Sequence, residues 1–272
     1  MIRTSGWILV AAGLALSVWA PAKDSALTAN QIVDRYVAAC GGASAWKDID
    51  SMAWTGHVET TGRAESSVPF LMEFKRPNMT RFETVVQNNK SARIFDGTMG
   101  WKVHTTHENG PQVQNYSPEE IEFARDASGL DGPLMDYKAK GVTVAAQGTD
   151  EIEGHRAYRL RVTLPSGAVH KVWIDAKTFL ELKYEREIRV ANNVPRTVSV
   201  YYRQYQQVGA ITLPMAIETG DLANGRSDKM VIERVALNPK LQQSAFAKPL
   251  VFSRHSVVAI GDPSRTGTPP AR

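Results

Sequence analysis

The stretch Phe179-Leu180-Glu181-Leu182-Lys183-Tyr184-Glu185-Arg186-Glu187-Ile188-Arg189-Val190 alternates along its length. Leu180, Leu182, Tyr184, Ile188 and Val190 fall on one face, and Glu181, Lys183, Glu185, Glu187 and Arg189 on the other. A period of two is the side-chain repeat of a β-strand with one apolar and one wet face. Arg186 is the exception, since alternation places it with Tyr184 and Ile188. An arginine there needs partners. Either its stem carries the charge past the apolar edge to water, or it latches onto lid carbonyls or a ligand headgroup.

The same period runs outward in both directions. Upstream, Tyr158, Leu160, Val162 and Leu164 alternate with Arg159, Arg161 and Thr163. Pro165-Ser166-Gly167 turns that strand into 169–175. Downstream, Asn192-Asn193 leads into 198–206, and 213–219 and 229–237 complete the series. Nearer the N-terminus, Met52, Trp54, Gly56 and Val58 share one phase, as do Phe70, Met72 and Phe74. Arg76-Pro77-Asn78 turns into 79–87, while 91–95 and 100–106 flank Asp96-Gly97, a tight-turn dipeptide. The fold class is mainly β, with roughly ten or eleven strands in meander order. One apolar face per strand argues for a single large antiparallel sheet over a sandwich. A sheet that long must curl, and short helices must cover its inner face.

Two helical regions are available. Thr28 and Gln31 form a capping box, and Ile32, Val33, Tyr36, Val37 and Cys40 then recur at helical spacing until Gly41-Gly42. Residues 43–49 add a short second helix. Ser117-Pro118-Glu119-Glu120 starts another helix, running to about Ala127, with cap, proline and acids in place. Gly129 and Gly132-Pro133 break it, and 134–138 adds one more helical turn. Cys40 is the one cysteine, so no internal disulfide forms and a buried structural thiol is expected.

The ends read differently. Arg3, the apolar run 7–19 and Ala20-Pro21-Ala22 make a secretory signal, with cleavage after Ala22. The run is short for a ~30 Å hydrocarbon core, and the alternative is an uncleaved anchor. Residues 1–22 are therefore the signal, 23–260 the folded domain and 261–272 a disordered tail without apolar period. Whether 250–260 adds a last strand stays open.

Several chemistries are missing. Net charge is +4 with scattered Lys and Arg, too little for nucleic-acid binding. There is no Gly-x-Ser-x-Gly elbow, phosphate loop or dinucleotide fingerprint. His104 and His107 fall on opposite faces of a strand, which gives no zinc pattern. No catalytic residue, metal or cofactor is expected, and Glu119 and Glu120 are accounted for by capping.

An ordered set of short motifs carries a resemblance. It runs from Gly41-Gly42 through Trp54-Thr55-Gly56, Arg76-Pro77 with Arg81, Asp96-Gly97, Gly100-Trp101 and Trp173-Ile174-Asp175. It ends with Leu213-Pro214, Ile217-Glu218-Thr219, Leu237-Asn238-Pro239 and Phe246-Ala247-Lys248-Pro249. Over roughly residues 28–250 the chain resembles the LolA/LolB-like superfamily of outer-membrane lipoprotein-sorting proteins and their relatives. The resemblance implies an unclosed β-barrel with helices plugging its mouth and a cavity for lipoprotein acyl chains. It also implies a periplasmic location and transient contact with membranes. The superfamily includes sensor domains of envelope regulators, so an envelope protein partner is the alternative to lipoprotein or lipid cargo.

The leading expectation is a carrier of acylated or otherwise hydrophobic cargo, not an enzyme. Shielding acyl chains from water is worth ~0.8 kcal/mol per methylene. Trp54, Phe70, Met72, Phe74, Trp101, Tyr158, Leu180, Leu182 and Tyr184 are the candidates for the ligand-binding inner face, with Arg186 at its edge. Each is equally explained as core of a half-buried strand. The second expectation is a regulatory module reading an envelope signal through a partner. A lipid-acting enzyme is a distant third, and a buried His, Ser or Asp constellation at the cavity mouth would mark it.

Overall fold

The computed structural model describes residues 27–61, 67–87, 89–106, 110–127, 129–190, 194–221 and 226–249. The expected signal, the 250–260 segment, the tail, Asn192, Asn193 and His107 lie outside the described residues. The described residues form three α-helices: α1 (Ala29–Ala39), α2 (Ala43–Lys47) and α3 (Pro118–Asp126). The first six strands are β1 (Ser51–Thr60), β2 (Ser67–Lys75), β3 (Met79–Val86), β4 (Asn89–Phe95), β5 (Gly100–Thr106) and β6 (Gly110–Asn115). Seven more follow α3: β7 (Thr143–Ile152), β8 (His155–Thr163), β9 (Val169–Asp175), β10 (Glu181–Val190), β11 (Val194–Val208), β12 (Ile211–Asp221) and β13 (Arg226–Leu237).

All thirteen strands join one sheet in the order β6-β5-β4-β3-β2-β1-β13-β12-β11-β10-β9-β8-β7. Every pairing is antiparallel, from Met52 opposite Phe74 to Trp173 opposite Lys183. The sheet is thus two meanders, β1–β6 and β7–β13, fused where the first strand meets the last. There Trp54 faces Val235 and Val58 faces Met230. The seam carries a bulge at Thr55/Gly56, and a Cβ on Gly56 would lie 1.9 Å from the Val231 carbonyl oxygen, so only glycine fits.

Among the described residues the expected ten or eleven strands are thirteen, and the two unforeseen ones are the edges. β6 reads Gly-Pro-Gln-Val-Gln-Asn, with four of its six residues exposed. β7 has seven of ten exposed and a register shift between Ala146 and Thr149. An edge strand pairs on one side only and covers little core, so it shows no apolar alternation. Pro111 and the β7 bulge also fit an edge that resists adding a further strand. With β6 and β7 at opposite ends of the order, the sheet does not close into a barrel.

Curvature follows from the shared lining of one cavity. Phe74 on β2 and His170 on β9 are six strand spacings apart, roughly 29 Å along a flat sheet. Both line a single cavity of about 240 Å³, so the sheet curls around it. The link from β6 to β7 must cross the sheet's full width, and it crosses the concave side. It consists of α3 and a run of turns over 129–141, where the expected helical turn at 134–138 is not formed. Leu130, Leu134, Met135, Tyr137 and Val142 of this link are buried.

α1 completes the cover. Its capping box forms as expected, with Gln31 N–H donating to Thr28 Oγ1 and Thr28 N–H to Gln31 Oε1. Ile32 and Val33 pack with Leu160, Val162, Val172 and Ile174, while Cys40 packs with Met52, Phe74 and Leu213. Gly41 (φ 106°) lets the helix end press onto the β11–β12 hairpin, where a Cβ would lie 2.2 Å from the Ala210 oxygen. The Thr212 N–H donates to the Cys40 oxygen there.

The convex side has its own apolar material. Ala92, Ile94 and Trp101 cluster with Val103 and Val113. After β13 the chain runs back over β2 and β3, ending in a 3-10 turn, Gln243–Phe246. Lys75 and Arg81 donate to the Leu241 and Ala245 oxygens, and Phe246 is fully buried.

Candidate functional site

The enclosed cavity lies between the helices and the concave face. Its walls are Tyr36 of α1, Cys40 at the end of that helix, Trp46 of α2, Trp54 and Phe74 of β1 and β2, and residues 129–134 of the link. Its floor is His170 and Val172 of β9, Glu181 and Tyr184 of β10, and Tyr202 and Tyr205 of β11. Two wider hollows, about 580 and 560 Å³, open near the two edges, lined largely by polar side chains such as Arg93, Lys102 and His104 or Lys171, Glu185 and Arg189. The smaller cavity is the one with an enclosed aromatic wall, the usual property of a site for apolar ligands.

Local packing holds the wall in place. Trp54 and Phe74 meet edge to face at 4.8 Å. Trp46 donates from Nε1 to the Cys40 oxygen at 2.9 Å. Arg76 ties three pieces together, reaching the Ile49 and Trp46 oxygens and the Asp131 carboxylate, each at 2.9 Å. Lys140 holds the other oxygen of Asp131. The 129–134 wall is thereby pinned to α2 and the β2–β3 turn by a charged network.

Bulges set which side chains reach the floor. The register between β9 and β10 slips between Glu181 and Lys183, which reverses the phase of the strand at that point. Glu181 consequently faces inward like Tyr184, although strict alternation places it on the wet face. In β11, Gln204 adopts φ 56° and has no registered partner, so Tyr202 and Tyr205 both face inward although three residues apart.

These groups are half-buried, and the protein packed around them strips away part of their water. Desolvation pushes the Glu181 carboxyl up to about 8. No ion pair or side-chain hydrogen bond reaches it among the described residues, and the Tyr205 hydroxyl bonds its backbone oxygen instead. Burial likewise raises Tyr36, Tyr202 and Tyr205 well above the usual phenol range and Cys40 to about 12. His170 is driven down to about 4 by burial and by nearby Arg186, so it is a neutral ring, stacked on Tyr184 at 5.3 Å. Cys40 is the buried, inert thiol that the sequence led us to expect.

A Ser, a His and an Asp do gather near the mouth. Ser166 donates directly to the Asp126 carboxylate, and His170 stacks on Tyr184. Among the described residues no hydrogen bond joins the Ser166 hydroxyl to an imidazole.

α3 lies over the mouth and is held mainly by polar contacts. Glu120 pairs with Arg93 at 2.6 Å and Lys102 at 3.0 Å, and the Arg125 oxygen accepts from Asn78. Phe123, 43% exposed, sits over the Arg186 guanidinium at 4.2 Å. Of the helix, only Asp126 is buried. A helix that buries so little apolar surface is weakly anchored and opens at low cost.

Sequence comparison with protein-family models and with curated proteins finds no match. A LolA superfamily protein from Nitrosomonas europaea aligns in structure with a TM-score of 0.54 at 14% identity, covering 82% of this chain and 99% of that one. This chain has the LolA-superfamily fold. A DUF1329 family protein from Desulfovibrio piger (TM-score 0.46, 11% identity, 80% and 97% covered) is less similar. So is the Mycobacterium tuberculosis lipoprotein LppX (TM-score 0.32, 15% identity, 77% and 97% covered). At these identities the likeness concerns the fold and leaves the ligand open.

Within the LolA-fold sheet, the ten expected site residues separate. Trp54, Phe74 and Tyr184 line the cavity. Phe70 and Met72 continue the same face toward the open end, packed with Met215, Ile232 and Phe82. Tyr158 stacks on Phe179 at 5.8 Å beneath α1, and Leu180 packs in the neighbouring cluster. Arg186 faces inward, and its Nε has no partner. Leu182 falls at the β10 bulge and belongs to none of the described apolar clusters. Trp101 is not on the inner face: it pairs with Ile94, which pairs with Arg81, on the phase opposite Phe82 and Phe74. A strand near the sheet edge buried its apolar phase on the convex side, which alternation alone does not distinguish. Glu181, Tyr205, Tyr202, His170 and Arg76 were missed, the first two because single-residue bulges leave no mark in composition.

Proposed function

We propose that this chain is an exported carrier that holds an acyl chain or similar apolar group against the concave face, with α3 as a movable lid. The observation that carries the reading is the aromatic cavity of about 240 Å³ beneath a helix held by ion pairs and one cation–π contact. Its volume is slightly below the roughly 300–1,000 Å³ of small-molecule sites, so the closed form takes one chain end or linkage. Longer or multiple chains need α3 displaced, and the apolar strip of Phe70, Met72, Met215 and Ile232 then extends the contact. Each methylene shielded contributes ~0.8 kcal/mol. Residues 1–22 act as the export signal, lipoprotein acyl chains are the cargo the fold suggests, and the periplasm is the site of action.

The test is native mass spectrometry of protein exported with its own signal and purified without detergent. A bound lipid or acylated peptide, on a chain beginning at Lys23, is the expected result. A cargo-free chain that also binds no acyl probe in solution overturns the carrier reading and directs attention to a protein partner.

A further inference from the structure

The feature the carrier reading leaves unused is the polar floor of an otherwise aromatic cavity. Glu181 projects there without a side-chain partner. Four tyrosines surround it, Tyr36, Tyr184, Tyr202 and Tyr205, each close enough for its charge to be felt at the phenol. The Tyr202 hydroxyl also makes no hydrogen bond among the described contacts, whereas Tyr205 is engaged by the backbone. A bulge in each of β10 and β11 is needed to bring Glu181 and Tyr205 inward. A half-buried carboxyl with no protein partner is left for water or a ligand to satisfy.

We propose that Glu181 and the Tyr202 hydroxyl form a polar selector that receives an uncharged ester or amide linkage of the cargo, while the attached apolar chain lies against Trp54 and Phe74. The inference rests on the carrier reading and names what part of the cargo the cavity reads. In its neutral form the Glu181 carboxyl donates to a carbonyl oxygen, and its own carbonyl accepts from an amide N–H. Tyr202 supplies a second donor. An amine would force the carboxyl to ionise and bury an ion pair, with desolvation of both charges against it. A free carboxylate would have to shed its water to enter a cavity whose nearby cations Arg76 and Lys140 are already taken by Asp131, with the Asp126 carboxylate also in the lining. The other groups facing the space are the neutral His170, the buried Cys40 thiol, and Arg186 beside Tyr184.

The experiment uses the mature exported chain and a displaceable fluorescent acyl probe. The competitors share one chain length: hexadecane, methyl hexadecanoate, hexadecanamide, hexadecanoate and hexadecylamine. The ester and amide are expected to bind about tenfold tighter than the two charged compounds at neutral pH. Glu181→Leu abolishes that preference while still binding hexadecane. Glu181→Gln, which keeps a neutral donor and acceptor and guards against misfolding, retains it. In the wild type the preference falls as pH rises through about 8, and in Glu181→Gln it does not. Tighter binding of hexadecanoate, which Arg186 would hold, or of hexadecylamine overturns the selector, as does an unchanged preference in Glu181→Leu. Failure of all five to compete overturns the carrier reading itself, and the selector with it.

Discussion

Glu181 shows how one side chain couples the cavity to stability. In the unfolded chain a glutamate ionises near ~4.3, whereas in the fold its carboxyl holds its proton to about 8. Below the lower value both states are protonated and nothing is lost. Between the two, the unfolded state alone releases its proton, so folding weakens as pH rises, and above about 8 the loss is complete. Glu181→Gln has no such charge. Its stability advantage is expected to be near zero at about pH 4 and to grow to the order of 2 kcal/mol by about pH 9, with water entering the cavity limiting the gain. Urea melts of both proteins across pH measure this directly, and parallel curves would mean that the carboxyl is hydrated. His170 behaves oppositely: the unfolded imidazole takes a proton near ~6.5 while the folded ring stays neutral to about pH 4, so folding weakens as pH falls between those values.

Among the elements, α3 is the one the carrier proposal requires to move. Its local signals are strong, with Ser117 capping Glu120, Pro118 in the first turn and two acids near the N-terminus. Its tertiary anchors are weak, since ion pairs of half-exposed groups contribute little. The Phe123–Arg186 contact is worth about 1 kcal/mol. Phe123→Ala is therefore expected to speed amide exchange across 118–126 about fivefold and to speed acyl-probe loading similarly, with the global melting temperature nearly unchanged. Hydrogen exchange read by mass spectrometry checks the first and stopped-flow fluorescence the second. Protection in α3 equal to that of β1 or β8 would show a fixed plug instead of a lid. By contrast, the 129–134 wall is held by Arg76, Asp131 and Lys140 and should stay put when α3 lifts.

At the scale of the whole molecule, the seam between β1 and β13 decides cooperativity. Met52 pairs with Leu237 and Thr60 with Asp228, so the two meanders unite only when the chain ends meet. Removing everything after residue 225 strips both halves of a central neighbour and is expected to abolish cooperative unfolding, while the full chain melts in one calorimetric transition. Two resolved transitions in the full chain would show independent halves. Such long-range pairing also predicts refolding in the slow range of β proteins, milliseconds to seconds or longer. The sequence alone determined the strand-forming segments that cover core, the capping of α1 and α3 and the mainly β class, because these depend on local periodicity and end chemistry. That Trp54 and Phe74, or Tyr184 and Arg186, share a face of the sheet was legible for the same reason. Only the tertiary structure decided that Trp101 faces the convex side, that β6 and β7 form the edges, and that Glu181, Tyr202 and Tyr205 meet in the cavity. Alternation says which residues of a strand share a face, but which face is inside depends on register with distant strands, and a single bulged residue reverses it.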